Sequence, residues 1–470
     1  MALSRRFHRL RIGLILSIVG TFYLGYHLSS ILRPKLSLKP ARLTQLQGPI
    51  PPKKEWHPDP VRNGDLRLLA QGNQYVRMIL DSTAINSTIH RLDCPRPKPG
   101  RYEYLANSVS ETEGKYPSTR KPKYFFALNL FECRHILPTL LGSILEVVRM
   151  LGPEKCTLSI VEGRSNDGTF EVLKLLIPVF KQMGLKYYFG SNDINPKGDG
   201  SDRIISLAIL RNLALKPLVQ NANLYPLNIY QTTVIFINDV AICAEDILEL
   251  LHQRRKQSAH MTCAMDWVSD GGAFYDVWVS RGMNGDLFFE IPQDASWSFA
   301  GNLFWNDQKT RGRLLGKVPF QVFSCWNGAV TFVADPIITG DIEFRSKALS
   351  GFREDGTRKA VECHLGEPVH LCKDLWYHNY NRIAVVPSVN LGYFVDSGNK
   401  TKSKNGWTSE NIDLYEGKID MDPSKWPGEM IKWDPKPPGT IKCIPIWHQT
   451  SWVPWDEGLD LLAAGNATTL

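Results

Sequence analysis

Short apolar runs alternate with longer segments of helical periodicity through the middle of the chain. The runs are rich in β-branched and aromatic residues, which is typical of buried strands. They predict strands at 124–130, 157–161, 186–189, 234–237 and 261–265, with helices at 136–151, 169–183, 202–215 and 244–257. Repeated strand–helix units favour a mainly parallel sheet covered by helices on both faces, so the predicted fold class is α/β.

The strand predicted at 234–237 ends abruptly in two polar residues, Asn238 and Asp239. In an open α/β sheet, ligands bind at the carboxyl ends of the strands. A carboxylate there can hold a divalent cation, and the cation can hold a diphosphate. The alternative is an Asn-Asp turn that caps the next helix. The strand predicted at 261–265 is followed in the same way by Asp266, a candidate second ligand for a metal or a sugar.

Two further segments carry side chains suited to a nucleotide. Glu162, Ser165 and Asp167 lie between a predicted strand and its helix, where small and polar residues permit a base or ribose to approach. The same residues could simply cap that helix. Arg203 and Arg211 lie eight residues apart, about 80° around the predicted helix, so both guanidinium groups could engage a diphosphate. A solvated helix face is the alternative explanation of the two arginines.

Aromatic residues stand among polar ones at 274–282 and 323–328. Aromatic faces stack well on apolar faces of other molecules, including sugar rings. These two segments are therefore candidates for carbohydrate contacts, with ordinary core packing as the alternative.

Four arginines, at positions 5, 6, 9 and 11, precede an apolar stretch at 12–32. About twenty such residues span a bilayer, and basic residues on the N-terminal side place that end in the cytosol. We expect an uncleaved anchor rather than a cleavable signal peptide, because no clear small-residue cleavage site follows. The predicted organisation is a cytosolic tail (1–11), a transmembrane signal anchor (12–32), a luminal stem and irregular connection (33–120), the main α/β domain (121–395) and a C-terminal extension (396–470).

Composition narrows the class of protein. A charged content of 22% and a hydrophobic content of 43% are globular values. The net charge of +8 is spread along the chain, and no nucleic-acid-binding motif occurs, so nucleic acid is not an expected partner. Sequons at Asn86, Asn399 and Asn466 and nine cysteines agree with a luminal location, where an odd number of cysteines leaves at least one without an intramolecular partner.

Several blocks of the sequence, in this order, resemble the fungal capsule-associated mannosyltransferases of glycosyltransferase family 69, whose relatives are often labelled polysaccharide export proteins. The blocks cover roughly residues 124–394 and include SIVEGRSNDGTFEVL, IFINDVAICAEDILELL, CAMDW, FYDVWVSRGMNGD and LCKDLW. The resemblance implies a GT-A-like fold and a single-pass type II Golgi membrane protein with its catalytic domain in the lumen. It also implies GDP-mannose as donor, Mn²⁺ or another divalent cation, and a glycan acceptor.

The expected reaction is α-1,3-mannosyl transfer in the synthesis of fungal cell-wall or capsule polysaccharide. Asp239 would bind the metal, and Asn238 would join the residues around the nucleotide. Glu367 resembles the late acidic residue of GT-A enzymes; retention of configuration requires no general base, so it would bind the acceptor or stabilise the transition state. Because Asn238-Asp239 is not a complete Asp-x-Asp motif, a non-catalytic carbohydrate-binding or export-assembly protein is the alternative.

Overall fold

The computed structural model describes residues 63–107, 122–196, 202–228, 231–345, 349–352, 358–360, 362–417, 428–446, 449–459 and 468–469. These ranges belong to one compact unit, Trp56–Leu470. The anchor predicted at 12–32 lies outside them. Within the described ranges, no helix is long and apolar enough to cross a membrane.

A nine-stranded mixed sheet forms the centre of the molecule, in the order β3-β2-β1-β4-β8-β5-β11-β7, with β6 paired to β5. Strands β1 to β4 are parallel, and β5 and β11 are parallel to each other; β8 runs antiparallel between β4 and β5, and β7 is antiparallel to β11. The strands are β1 (Lys123–Leu130), β2 (Cys156–Glu162), β3 (Lys186–Ser191), β4 (Thr232–Ile237), β5 (Met261–Val268), β6 (Ala273–Phe274), β7 (Phe320–Gln321), β8 (Ala329–Val333) and β11 (Ile383–Leu391).

Five strands lie outside this sheet. They form a three-stranded sheet and a hairpin, made of β9 (Leu349–Phe352), β10 (Arg358–Ala360) and β14 (Thr468–Thr469), and of β12 (Thr440–Ile446) and β13 (Gln449–Pro454). The helices are α1 (Leu66–Leu80), α2 (Leu137–Leu151), α3 (Thr169–Gln182), α4 (Arg203–Gln220), α5 (Ala244–Lys256), α6 (Gln308–Leu315), α7 (Asp335–Ile338), α8 (Glu367–Tyr377), α9 (Val395–Asn405) and α10 (Thr408–Glu416).

Successive side chains of β1 enter opposite faces of the sheet, as the two-residue period of a strand requires. Phe125 and Ala127 belong to the hydrophobic core that includes residues of α4 and α8. Phe126 and Leu128 belong to the core that includes residues of α2, α3 and α5. Helices therefore cover both faces, and the predicted α/β class with a mainly parallel sheet is confirmed.

The nine strands and helices predicted between residues 124 and 265 are present, with ends that differ by a few residues. The largest difference is at α4, which continues to Gln220 past Pro217. β8, the antiparallel strand between β4 and β5, was not predicted from the sequence. All five residues of β8 are buried, but their sequence does not indicate which strand they pair with or in which direction. Packing across the sheet, and not local periodicity, sets both.

Segments on either side of the main domain pack against it. Residues before β1 are attached to Cys243, the residue that precedes α5, through the Cys94–Cys243 disulfide. They also contact α5 through the Arg101–Glu249 ion pair, whose Nε–Oε2 distance is 2.8 Å. After β11, Lys402 of α9 is fully buried against Asp246 of α5, with 2.7 Å between Nζ and Oδ2. The described parts of both flanking segments thus belong to the folded unit.

Three disulfides join Cys94 to Cys243, Cys263 to Cys325 and Cys363 to Cys443, while Cys133, Cys156 and Cys372 are buried thiols. We predict that protein secreted from eukaryotic cells and alkylated in denaturant without reductant is modified at these three thiols alone. Peptide mass spectrometry after proteolysis provides the measurement. Modification of any of the six paired cysteines would contradict the pairing.

Candidate active site at the carboxyl edge of the sheet

The carboxyl ends of β1, β2 and β4 border a cavity of about 180 Å³. Asp239 and Arg203, both exposed, line the same cavity. Its other lining residues come from the strand ends, from the loop before α4 and from α4 itself; they are Asn129, Leu130, Phe131, Val161, Gly163, Ile194, Asn195, Pro196, Leu207 and Leu210. An anionic and a cationic side chain therefore face one apolar-walled space at the predicted edge.

Asn238 and Asp239 follow β4, every residue of which is buried. The Asn238 side chain lies inward, where its Oδ1 accepts a hydrogen bond from Trp326 Nε1 at 3.1 Å, and its backbone N–H donates to the Gly328 carbonyl at 2.9 Å. These bonds fix the end of β4. Asp239, the next residue, is exposed beside the cavity.

Glu162, Ser165 and Asp167 brace the loops around the cavity. The buried Glu162 carboxylate accepts hydrogen bonds from Ser165 N–H and from Ser191 Oγ, the latter at 2.7 Å. Ser165 Oγ accepts the Glu132 N–H at 2.9 Å. These contacts make structural links between neighbouring loops.

Asp167 has the same kind of role at the start of α3. Its Oδ1 accepts a hydrogen bond from Thr169 N–H at 2.9 Å, and its Oδ2 accepts from Arg134 N–H at 2.8 Å. Asp167 therefore accepts from the first backbone N–H of α3, but Gly168 occupies the N-cap position and makes no side-chain cap bond, so the predicted cap at Asp167 or Ser165 is wrong. Direct contact of Glu162, Ser165 and Asp167 with a nucleotide stays a prediction.

Arg211 and Glu367 form a buried ion pair, with 2.9 Å between Nε and Oε1. Arg211 also lies over the ring of Trp326, with 4.1 Å from Cζ to the ring centroid, a favourable cation–π geometry. Arg203 is exposed at the cavity and Arg211 is buried, and contact of both guanidinium groups with one diphosphate stays a prediction. The pairing of Arg211 with Glu367 was not predicted from the sequence.

Two carboxyl groups meet beneath the edge. Asp266 is fully buried; its Oδ2 accepts a hydrogen bond from Tyr393 at 2.6 Å, and its Oδ1 accepts one from Asp276 N–H at 3.3 Å. Burial and the neighbouring Asp276 carboxyl raise the pKa of Asp266 well above its usual range. The raised pKa opposes ionisation of Asp266 in this arrangement, and its predicted contact with a metal or a sugar stays a prediction.

Asp276 is half-buried. Burial raises its pKa to about 6, while the N–H of Asn327 and the charge of Arg211 act in the opposite direction. The Asn327 N–H donates to Asp276 Oδ2 at 2.7 Å. Asp276 stands within one of the aromatic segments of the sequence, and nothing local there indicates that it lies beside the Arg211–Glu367 pair.

The aromatic segments divide between core and surface. Phe274, Phe323 and Trp326 are buried, so the carbohydrate interpretation is wrong for these three rings and core packing is correct. Tyr275 is 42% exposed and lies next to Asp276. Tyr275 directly follows β6 and precedes a 3₁₀ turn at Asp276–Trp278, with the buried Phe274 before it and the half-buried Asp276 after it.

The described residues contain no group of three His, Cys, Asp or Glu side chains placed to hold a metal ion. The exposed carboxylate of Asp239 nevertheless suits a hard cation that takes one protein ligand and completes its shell with phosphate oxygens and water. The side chains at the cavity therefore fit a cation that binds together with a phosphorylated ligand.

The raised pKa of Asp266 predicts a pH-dependent effect of Asp266→Asn. Above about pH 4 the folded chain binds more protons at this carboxyl than the unfolded chain does, so this group lowers the free energy of unfolding as the pH rises. The variant lacks this titration. Between pH 5 and 7 its free energy of unfolding should rise relative to the unaltered protein by up to about 1.4 kcal/mol per pH unit.

Urea denaturation at several pH values measures that difference. Asp341→Asn, which changes an exposed carboxylate after α7, is the control and should show a difference that hardly varies with pH. A pH-independent difference for Asp266→Asn would contradict the raised pKa of Asp266.

Comparison with known proteins supplies the family. The family model described as Cryptococcal mannosyltransferase 1 matches residues 123–374, which is just over half of the chain and contains the cavity and the acidic residues around it. The α-1,3-mannosyltransferase CMT1 of Cryptococcus neoformans is 31% identical over 405 residues, covering 80% of this chain and 82% of that protein.

Solved structures show weaker likenesses. A mannosyltransferase from Pyrobaculum calidifontis, in complex with GDP-Man and Mn²⁺, has a TM-score of 0.34 at 10% identity and covers 70% of this chain and 63% of its own. TarS of S. aureus, in complex with UDP, has a TM-score of 0.33 at 12% identity, covering 64% and 68%. At TM-scores this low, the structural similarity supports no conclusion about fold or function. The family model matches just over half of this chain, and the cryptococcal relative aligns with 80% of it, so the chain belongs to the Cryptococcal mannosyltransferase 1 family of glycosyltransferases.

Proposed function

We propose that the chain transfers mannose from GDP-mannose to a hydroxyl group of a glycan acceptor and forms an α-1,3 linkage. The observation that carries this proposal is the cavity at the carboxyl edge, where Asp239 and Arg203 both face the space beside the strand ends. Family membership supports mannosyl transfer, and the similarity to the cryptococcal α-1,3-mannosyltransferase supports the linkage.

A divalent cation, Mn²⁺ in the proposal, would be held by the Asp239 carboxylate and by the donor diphosphate. The cation supplies a positive charge that stabilises the phosphate oxygens as the leaving group departs. Arg203 adds a second positive charge at the same cavity. Asn238 contributes indirectly, because its bond to Trp326 fixes the end of the strand that carries Asp239.

The nucleoside would occupy the part of the cavity between the ends of β1 and β2 and the first turns of α4. Its walls include the apolar side chains of Leu130, Val161 and Leu207, and the polar side chains of Asn129 and Asn195. Apolar walls with a few polar groups suit a nucleobase, whose faces are apolar and whose edges form hydrogen bonds. Glu162, Ser165 and Asp167 keep these walls in place.

Glu367 and Arg211 serve the acceptor side of the proposed site. Glu367 is buried, and its charge is balanced by Arg211. It therefore acts as a positioning residue that fixes Arg211 beside Asp276, and not as an isolated base. An α-mannoside formed from an α-linked donor keeps its configuration, and such a reaction needs no base on the opposite face of the sugar.

The proposal places the α/β domain in the Golgi lumen, attached to the membrane by a type II anchor. The apolar stretch at 12–32, which lies outside the described residues, supports the anchor. Three disulfides support an oxidising compartment.

Asp239→Asn tests the proposed metal ligand. The amide keeps the size of the side chain but removes the charge that would hold the cation, so mannosyl turnover should fall by at least about a hundredfold. Asn and Asp cap helices about equally well, so a pure capping role predicts unchanged turnover and stability. The measurement is mannosyl transfer as a function of Mn²⁺ concentration.

Asp341→Asn is the matched control, because Asp341 is exposed and follows the far end of the antiparallel strand β8, at the opposite edge of the sheet. Circular dichroism checks that both variants fold. A folded Asp239→Asn protein with near-normal, Mn²⁺-dependent turnover would refute the assignment of Asp239.

Donor choice gives an independent prediction. A guanine base covers more of the apolar cavity wall than a uracil base does, and buried apolar area stabilises a complex. GDP-mannose should therefore bind at least about tenfold more tightly than UDP-glucose or UDP-galactose, a difference of about 1.4 kcal/mol. Calorimetric titration with Mn²⁺ present measures the affinities, and equal or tighter binding of a UDP-sugar would overturn the donor assignment.

A further inference from the structure

Two exposed aromatic rings lie beside the acidic edge. Tyr275 is 42% exposed and Trp297 is 37% exposed, and their ring centroids are 6.4 Å apart with an interplanar angle of 41°. Tyr275 is the residue before Asp276, which is half-buried at the same place. Exposed aromatic rings cost free energy in water unless a ligand covers them, so a neighbouring pair next to a proposed active site indicates a binding surface.

Both rings are held in place without a ligand. Tyr275 packs edge-on against Tyr393 with 5.0 Å between centroids, and the Tyr393 hydroxyl is itself bonded to Asp266. Trp297 packs against the buried Phe289 with 5.6 Å between centroids. Rings fixed in this way lose little conformational entropy when a ligand binds, which favours recognition by stacking.

The charges around Tyr275 connect the rings to the donor cavity. The pKa of Tyr275 is raised by partial burial and by Asp276, and Arg203, Asp266 and Asp239 also act on it. Arg203 and Asp239 line the proposed donor cavity. The Tyr275 hydroxyl thus lies within the electric field of both the donor-side charges and the carboxyl pair.

We propose that the exposed faces of Tyr275 and Trp297 form the subsite for a pyranose ring of the acceptor glycan, with Asp276 accepting a hydrogen bond from one of its hydroxyl groups. A pyranose presents an apolar C–H face, which stacks on an aromatic ring, and a rim of hydroxyl donors, which suits a carboxylate. This inference rests on the proposed mannosyl transfer and adds the position of the acceptor, on the β5–β6 side of Asp239.

The test uses Tyr275→Ala and Trp297→Ala in the full chain, with α-1,3-mannobiose as the acceptor probe. Loss of either ring should raise the KM for mannobiose about tenfold, the upper range for one aromatic contact. The KM for GDP-mannose and its slow hydrolysis without acceptor should change less than about twofold, because neither ring lines the donor cavity. Tyr275→Phe keeps the ring and should restore the mannobiose KM.

Tyr377→Ala is the matched control. Tyr377 is 38% exposed and ends α8, an 11-residue helix that begins at Glu367, so it lies about 15 Å from that residue along the helix. This variant should behave as the unaltered protein does. An unchanged mannobiose KM in both Tyr275→Ala and Trp297→Ala, with the proteins folded, would overturn the subsite.

Failure of the proposed function gives a different result. The unaltered protein could neither transfer mannose nor hydrolyse GDP-mannose. In that case the test of the subsite is the binding of mannobiose in the presence of GDP and Mn²⁺, measured by saturation-transfer NMR. Binding that both alanine variants weaken supports a sugar subsite on the two rings. No binding, or binding that the variants leave unchanged, overturns it.

Discussion

The turn at Asn327 and Gly328 holds the carboxyl edge of the sheet together. Asn327 is fully buried with φ of 57°, and its side chain donates to the Ala264 carbonyl at 2.8 Å and accepts from Ser280 at 3.0 Å. Gly328 has φ of 80°, and a Cβ there would lie 3.3 Å from the Cβ of Asp266. Asn and Gly adopt this left-handed conformation most readily. One tight turn thus links the ends of β4 and β5 to the start of β8.

This turn also contacts two acids of the edge, Asp276 and Asp266. Its backbone N–H holds Asp276 inward, and the space left by the missing side chain of Gly328 is filled by residues that include Asp266. Burial of these acids carries a desolvation cost that raises their pKa values, and Arg211 offsets part of it for Asp276. Asp239 differs from Asp266 and Glu367 in being exposed. The edge therefore combines buried acids with the exposed carboxylate of Asp239.

The sequence predicted the elements that depend on local pattern. The strands at β1 to β5 and the position of Asp239 follow from apolar runs and their polar ends, since residues near in sequence determine both. The antiparallel insertion of β8, the Arg211–Glu367 pair across 156 residues and the inward position of Asp266 depend on contacts between distant segments. No periodicity encodes such contacts. An Asn-Gly dipeptide such as Asn327-Gly328 is typical of a turn. Its contacts with the ends of several strands depend on the assembled sheet.

The central claim is that the Asp239 carboxylate holds a divalent cation against the donor diphosphate at this edge. The most direct test is anomalous X-ray diffraction near the manganese absorption edge, from crystals of the protein with GDP and Mn²⁺. The account predicts one strong anomalous peak within coordination distance of an Asp239 carboxylate oxygen, about 2.2 Å, with phosphate oxygens completing the shell. GDP bound in the cavity with no manganese peak at Asp239, or with the peak on other side chains, would contradict it.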